Sequence, residues 1–239
     1  MTENDSNRNL LNMNALNMNA LNMNALNLNA LNINALDPAA ALTIRSPGPK
    51  GDLARQLVRY AVGCALSPSQ SFSFSWTDGT GTVHDEVYLG QLGLAPTWAT
   101  APLTSSGARW VSACLASRVN YYGTPVPISS RAPGVLTTSS SERGTYAYEE
   151  GAFWGNVFGP TPAVFACYDL LTTSHSRARA RDCAAGHADS DGYVEQCGII
   201  QIVGPCTTSC LLPLLEGDGY SSCGSLLSKT SETITVFLQ

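Results

Sequence analysis

Eight cysteines are the residues with the most clearly defined chemistry in this chain of 239 residues. None of them forms a CxxC pair, which is the spacing typical of thiolate zinc sites. An even number of cysteines without such pairs favours disulfide bonds made in an oxidising compartment. Structural zinc and free buried thiols are the alternatives. The cysteines are Cys64, Cys114, Cys167, Cys183, Cys197, Cys206, Cys210 and Cys223.

The pairing of these cysteines stays open for most of them. Six of the eight fall between residues 167 and 223. Cys64 and Cys114 lie outside that cluster, and each comes late in an apolar segment with helical spacing. We therefore expect these two cysteines to pair with one another and to join two helices.

Carboxylates near an aromatic residue form the first catalytic candidate. Glu150 follows Glu149 and precedes Trp154. An apolar environment of this kind raises the pKa of a carboxyl group and makes it a general acid. Asp169 is the candidate second carboxylate across a cleft, as in a glycosidase. The alternative is an exposed Glu pair at the start of a helix.

A histidine and an aspartate form the second catalytic candidate. His175 and Asp182 supply the base and the orienting carboxylate that a Ser or Cys hydrolase needs. The chain contains no GxSxG motif, the usual setting of a serine nucleophile in one large class of hydrolases. The alternative is that His175 is an ordinary surface residue.

Residues 187–198 loosely match a calcium-binding loop. Asp189, Asp191 and Glu195 occupy the third, fifth and ninth positions of such a loop. The first position is His187 and the twelfth is Gly198, both poor ligands for calcium. A plain turn explains the Asp-Gly pair equally well, so the three acidic residues are weak calcium candidates.

Aromatic and basic residues suggest two kinds of binding surface. Four tryptophans leave room for an aromatic platform that binds sugars, although most are expected in the core. Arg177 and Arg181 would share one helix face and could bind an acidic polysaccharide or a lipid headgroup. A solvated face is the alternative. The tryptophans are Trp76, Trp98, Trp110 and Trp154.

The composition excludes several classes of function. Only 13% of the residues are charged and the formal net charge is −5. These values argue against a protein that binds nucleic acid through a basic surface. No apolar run is long enough to span a membrane. No glycine-rich phosphate loop occurs, and we predict no cofactor.

The first part of the chain is repetitive. Residues 11–36 repeat a five-residue unit with Asn in two places and Leu in a third. Five residues rotate a helix by about 500°, so no single apolar stripe forms and a helix is disfavoured. Either the tract is an extended tail, or it docks as a short β-coil or strand on the domain or on another chain. The tract therefore also predicts a route to self-association.

The remaining segments predict one domain and its boundaries. Residues 1–10 are expected to be disordered, residues 11–36 form the repeat tract, residues 37–51 form a linker, and residues 52–239 form a globular domain. Residues 1–12 contain neither the basic nor the apolar segment of a secretory signal. An oxidised protein would then have had its signal trimmed or would use another export route.

Periodicity predicts the elements of the domain. Helical spacing predicts helices at 53–66, capped by Asp52, and at 107–119. Alternation at 71–76 and 82–90 around Asp78-Gly79 predicts a hairpin. Further strands are predicted at 124–131, 162–171, 198–204 and 232–239, a short helix at 174–185, and a helical or irregular segment at 145–158. The fold class is α+β: a single disulfide-rich domain with a mostly antiparallel sheet and a few helices, preceded by a pentad-repeat tail.

Several segments of the domain resemble a known family. Examples are RWVSACLASRVNYYG at 109–123, EEGAFWGNVF at 149–158 and CGIIQIVGPC at 197–206. These segments look like a family of uncharacterised secreted or lipoprotein-type proteins of myxobacteria, which often carry an Asn- or Gly-rich pentad tract before a Cys-rich domain. The resemblance covers residues 52–239 and extends to the kind of repeat that precedes them. It implies a location in the bacterial envelope or outside the cell, and it carries no catalytic residue over to this chain.

These observations favour a non-enzymatic extracytoplasmic module that binds a surface protein or a polysaccharide. The module would lie on the outer-membrane surface, in the periplasm or outside the cell. An extracellular glycosidase-like hydrolase and a self-assembling surface fibre subunit are the alternatives. The hydrolase would use the candidate residues Glu150, Asp169, His175 and Asp182.

Overall fold

The computed structural model describes residues 10–11, 16–18, 20, 29–32, 34–211, 218–225 and 227–239. It contains helices and mostly antiparallel sheets, so the predicted α+β class is confirmed. The helices are α1 (Pro38–Arg45), α2 (Pro49–Ala65), α3 (Ser105–Ser117), α4 (Ser140–Thr145), α5 (Thr173–Ala178) and α6 (Cys206–Ser209), with a 3₁₀ helix at Pro96–Ala99. In the described part of the chain, no helix is long and apolar enough to cross a membrane.

Thirteen short strands form four sheets in the described residues. The strands are β1 (Leu10–Leu11), β2 (Ser71–Thr77), β3 (Val83–Leu89), β4 (Ile128–Arg131), β5 (Tyr148–Asn156), β6 (Ala163–Tyr168), β7 (His187–Ala188), β8 (Val194–Glu195), β9 (Ile200–Pro205), β10 (Cys210–Leu211), β11 (Ser222–Gly224), β12 (Lys229–Thr230) and β13 (Thr233–Leu238). The largest sheet has the order β1-β4-β13-β5-β6-β9. Its single parallel pair joins β6 to β9, and the connection between them carries α5 and the β7–β8 hairpin.

The central strand β5 is buried on both faces. Phe153 points into the main core that α2 and α3 cover, whereas Ala152 and Trp154 point into a smaller core beneath β10–β12. A strand covered on both sides needs no alternation of polar and apolar residues. This explains why the sequence predicted a helical or irregular segment at 145–158, an expectation that the structure corrects.

Helix α2 begins earlier than the sequence predicted. Pro49 is its first residue, a position that suits the fixed φ angle of proline. Gly48 is the N-cap, and Asp52 lies in the first turn instead of capping the helix. The segment predicted as a linker, residues 37–51, thus contains α1 and the first turn of α2.

The described residues of the repeat tract pack against the domain. Leu16 is fully buried, forms a parallel bridge with Val119, and donates its backbone N–H to the Arg118 carbonyl at 3.1 Å. Leu31 is also buried, and its N–H donates to the carbonyl of Trp98 at 2.6 Å. Asn17, by contrast, is exposed. Of the two readings of the tract, these residues follow the docked one.

Candidate functional site

All eight cysteines form disulfides, as the sequence predicted, and none is free. Cys64 pairs with Cys114 and joins α2 to α3, which is the pairing that the sequence favoured. Two groups of metal-ligating residues converge in the described part of the chain, but both consist mainly of these disulfide sulfurs, which are no longer thiolates. The other disulfides are Cys167–Cys206, Cys183–Cys197 and Cys210–Cys223.

A groove with an aromatic floor lies over the end of the β5–β6 pair. Trp154 and Phe165 are direct cross-strand partners. Their ring centroids are 5.9 Å apart and their planes differ by 23°, so the two rings stack. Val203 on β9 extends the apolar floor and is 41% exposed. Three neighbouring strands therefore build one continuous apolar surface.

Hydroxyl groups surround this floor. The groove has a volume of about 450 Å³, within the usual range for a small-ligand site. All of its described lining residues are uncharged, and four carry hydroxyl groups. We call this site the aromatic groove; its lining is Trp154, Phe165, Val203, Ser209, Cys223, Gly224, Ser225, Ser228 and Thr230.

The disulfide Cys210–Cys223 fixes the wall of the aromatic groove, since it joins directly opposed residues of β10 and β11. Gly224 allows β11 to approach β12 closely. A Cβ atom at this position would lie 2.2 Å from the carbonyl oxygen of Ser228. The groove is therefore held in shape by a covalent bond and by close backbone packing.

No protein-family model matches this chain, and searches of curated proteins and of solved structures find no match. The candidate site therefore depends on geometry alone.

The structure places Glu150 in the core. Its side chain is fully buried, and Arg181 donates from Nη2 to Glu150 Oε2 at 2.8 Å. Arg181 also donates to the carbonyl oxygens of Ser117 and Val119, both at 2.9 Å. This ion pair ties β5 to the end of α3. Arg181 does not belong to a solvated basic face, whereas Arg177 is exposed.

Asp169 and Glu149 form a second acidic neighbourhood. Asp169 Oδ1 accepts backbone N–H groups from Leu171 and Thr172 at 2.8 and 3.0 Å, so it caps the turn before α5. Burial, together with the Asp169 charge, raises the pKa of Glu149 to about 7, while a hydrogen bond from Tyr220 opposes the rise. The carboxyl with the raised pKa is thus Glu149, the neighbour of the predicted candidate Glu150.

Asp182 contacts His187, not His175. His187 Nδ1 lies 2.8 Å from Asp182 Oδ2, and the Asp182 carboxylate is almost fully buried. The imidazole stacks on Tyr121 at a centroid distance of 3.7 Å and an interplanar angle of 9°. His175 stacks on Tyr148 and donates from Nε2 to the backbone carbonyl of Gln239 at 2.6 Å. The structure therefore pairs Asp182 with a different histidine from the one predicted, and a second Asp–His pair joins Asp78 to His84 at 2.9 Å.

The calcium candidates lie in the β7–β8 hairpin. Asp189 Oδ1 accepts the backbone N–H groups of Asp191 and Tyr193 at 2.9 and 2.8 Å, which is the pattern of a hydrogen-bonded turn. Glu195 is exposed, and its carboxylate lies 3.4 Å from the Tyr121 hydroxyl. In the described residues, Asp189, Asp191 and Glu195 do not converge as a group of metal ligands.

The tryptophans divide between core and surface. Trp98 is fully buried and donates from Nε1 to the carbonyl of Asn29 in the repeat tract at 2.6 Å. Trp76 lies beneath the guanidinium of Arg55 at 3.6 Å and stacks on His84. Only Trp154 lines the aromatic groove among the four. Its partner Phe165 was missed because the sequence marks it simply as part of a buried strand.

Proposed function

We propose that this protein is a non-enzymatic extracytoplasmic binding module and that its aromatic groove holds a neutral sugar unit of a polysaccharide. Four disulfides point to an oxidising environment outside the cytoplasm. The resemblance to secreted and lipoprotein-type proteins of myxobacteria supports the same environment. The binding role and its ligand are inferred from the groove.

The chemistry of the aromatic groove is the main support for sugar binding. A sugar ring presents an apolar face of C–H groups and an edge of hydroxyl groups. The partly exposed ring of Phe165, backed by the almost buried ring of Trp154, matches the face. The hydroxyls of Ser209, Ser225 and Ser228 match the edge. Because the described lining is uncharged, a neutral sugar can bind there without removing water from any charged side chain of the lining. An apolar peptide would satisfy the floor but would offer no further partner to the serine hydroxyls.

The test is calorimetric titration of the purified protein with cellohexaose, maltoheptaose and mannohexaose. We expect at least one of these sugars to bind. Phe165→Ala should weaken that binding about tenfold, because an aromatic ring that a ligand covers contributes strongly to such sites. Ser228→Ala removes one hydroxyl of the lining and should weaken it less. Tyr193→Ala removes a 74% exposed aromatic ring outside the groove and serves as the matched control.

Two results would overturn this proposal. One is equal affinity of the Phe165→Ala and Tyr193→Ala variants for the bound sugar. The other is the absence of binding to all three sugars together with binding of an apolar peptide that Phe165→Ala abolishes. The second result would keep the groove as a binding site but would assign it to a protein partner.

A hydrolase is the second candidate, and the Asp182–His187 contact is the observation that favours it. A buried carboxylate bonded to Nδ1 holds the imidazole so that Nε2 can accept a proton from water. If the protein hydrolyses p-nitrophenyl esters, His187→Asn should abolish turnover while Phe165→Ala leaves it unchanged. Hydrolysis that is unaffected by His187→Asn would exclude this pair as the site.

A further inference from the structure

A second cavity, of about 270 Å³, opens between α2 and the β2–β3 hairpin. It shares no described lining residue with the aromatic groove. We call it the α2–hairpin cavity. Its polar lining consists of two guanidinium groups, two phenol groups, an amide and a carboxylate, supplied by Arg59, Arg118, Tyr60, Tyr88, Gln91 and Glu86.

Arg118 supplies a desolvated cation to this cavity. The residue follows α3 directly and is only 3% exposed. Its guanidinium lies 4.5 Å over the ring of Tyr60, and Nη2 donates to Gln91 Oε1 at 3.3 Å. Burial lowers the pKa of Arg118 to about 10, with Tyr60 opposing the shift. A guanidinium removed from water in this way interacts strongly with an anion placed beside it.

The backbone around Arg118 is shaped to keep this space open. A Cβ atom at Gly63 would lie 2.9 Å from Arg118 Nη1 and 2.9 Å from Gln91 Oε1. Any larger residue at position 63 would therefore displace the two polar groups that line the cavity. The neighbouring Cys64–Cys114 disulfide holds α2 and α3, and with them Gly63 and Arg118, at a fixed separation.

Tyr88 places a buried hydroxyl at the cavity. It is 4% exposed, and its hydroxyl lies near the side chains of Arg59 and Glu86 without forming a hydrogen bond of good geometry with either. Burial, followed by the nearby charge of Glu86, raises the pKa of Tyr88 to about 12, so the hydroxyl keeps its proton at neutral pH. Leaving a buried donor unpaired is costly, and a ligand oxygen in the cavity would remove that cost.

Arg59 stands at the more open side of the cavity. Its guanidinium lies 4.9 Å over the Tyr88 ring, and Nη2 is 3.6 Å from Glu86 Oε2. The Arg59 side chain is 47% exposed, so it is free to turn toward an arriving ligand. Two positive side chains and one negative side chain give the lining a net positive charge, which favours a small anion.

From this arrangement we propose that the α2–hairpin cavity binds a small oxyanion, either the carboxylate of a sugar acid or a tetrahedral anion such as sulfate. Arg118 and Arg59 supply charge-assisted hydrogen bonds in planar pairs, which suit the paired oxygens of both anions. The Tyr88 hydroxyl supplies a further donor. The volume admits one charged group with its immediate attachment, not an extended polyanion. This inference does not depend on the function proposed for the aromatic groove.

The experiment titrates the full-length protein with sodium galacturonate, sodium sulfate and neutral galactose at constant ionic strength. We expect galacturonate, sulfate or both to bind, and galactose not to bind at this cavity. Tyr88→Phe removes only the hydroxyl and should weaken anion binding about tenfold. Arg59→Gln should weaken it at least as much. Arg179→Gln makes the same change of charge at an exposed residue outside the cavity and should bind as the unmodified protein does.

The outcomes separate the two anion sources and the two sites. Binding of galacturonate alone assigns a carboxylate, whereas binding of sulfate as well assigns a general oxyanion site. Phe165→Ala should leave anion binding unchanged, so a failure of the aromatic groove does not affect this test. Absence of binding by both anions would overturn the proposal. Anion binding that Tyr88→Phe and Arg59→Gln leave unchanged would also overturn it.

Discussion

The two cavities lie in different regions of the molecule and differ in the chemistry of their linings. The α2–hairpin cavity belongs to the helical region and is lined by Arg118, Arg59 and Tyr88. The aromatic groove belongs to the sheet region and is lined by stacked rings and hydroxyl groups without a charge in the described lining. A chain with only 13% charged residues has thus placed two cations at one cavity and kept the other neutral. The difference indicates that the two cavities suit ligands of different charge.

The two regions share one structural feature, since a disulfide lies beside each cavity. Cys64–Cys114 holds the helices at the first cavity, and Cys210–Cys223 holds the wall of the second. The loops that these bonds close differ in length, with sequence separations of 50 and 13 residues. A longer closed loop removes more conformational entropy from the unfolded chain. The two regions should therefore differ in how much covalent closure stabilises them.

Removing each disulfide tests this comparison with the largest expected effect. The Cys64→Ala/Cys114→Ala variant should lose about 4 kcal/mol of unfolding free energy, and the Cys210→Ala/Cys223→Ala variant about 3 kcal/mol. Urea unfolding of both variants measures the difference. The second variant should also lose sugar binding in the aromatic groove and keep anion binding. Loss of both binding activities on removal of Cys210–Cys223 would mean that the regions are not independent.

Much of the helical region was predictable from sequence, and the reason is physical. Both α2 and α3 carry apolar residues at helical spacing, and the positions of Cys64 and Cys114 late in these segments predicted their pairing correctly. The hairpin alternates regularly because one face is exposed. Elements with one buried face leave a periodic signal in the sequence.

The sheet region was less predictable because its central elements are buried on two faces. β5 has almost no polar positions facing solvent, so its pattern does not distinguish a strand from an irregular segment. The same problem concealed the groove, since Phe165 is recognisable only when β6 is paired with β5 in the observed register. Similarly, Glu149 and Glu150 are neighbours in sequence, but the alternation of a strand sends one into the ion pair with Arg181 and the other toward Tyr220.

The repeat tract provides the next test, because its described residues contact the helical region. Leu16 and Leu31 are buried beside Val119 and Trp98. Leu16→Ala or Leu31→Ala should each lower the unfolding free energy by about 3 kcal/mol, since each leaves a cavity in the core. Asn34→Ala, at an exposed position of the same tract, is the control and should change stability by less than about 0.5 kcal/mol. Thermal unfolding that is equal in all three variants would show that the tract does not belong to the folded core.

The smallest expected effect distinguishes two carboxyl groups by their response to pH. Glu149 in the sheet region has a pKa raised by burial from 4.5 to about 7, so the folded state binds its proton more tightly than the unfolded chain does. Its contribution to stability is therefore fully present below about pH 4.5 and is lost as the pH rises toward 7. Glu232, which accepts hydrogen bonds from Arg109 on α3, has a pKa lowered to about 2. Its contribution is present above pH 4.5 and is lost as the pH falls toward 2.

Glu149→Gln should consequently raise the unfolding free energy at pH 8 by on the order of 1–2 kcal/mol and have little effect at pH 4. Glu232→Gln should do the reverse, destabilising the protein at pH 8 and changing little near pH 2. Urea titrations of both variants and of the unmodified protein across this range measure the differences. Parallel pH profiles for the two variants would contradict the assignment, because folding raises the pKa of Glu149, where burial outweighs the charge of Arg131, and lowers the pKa of Glu232.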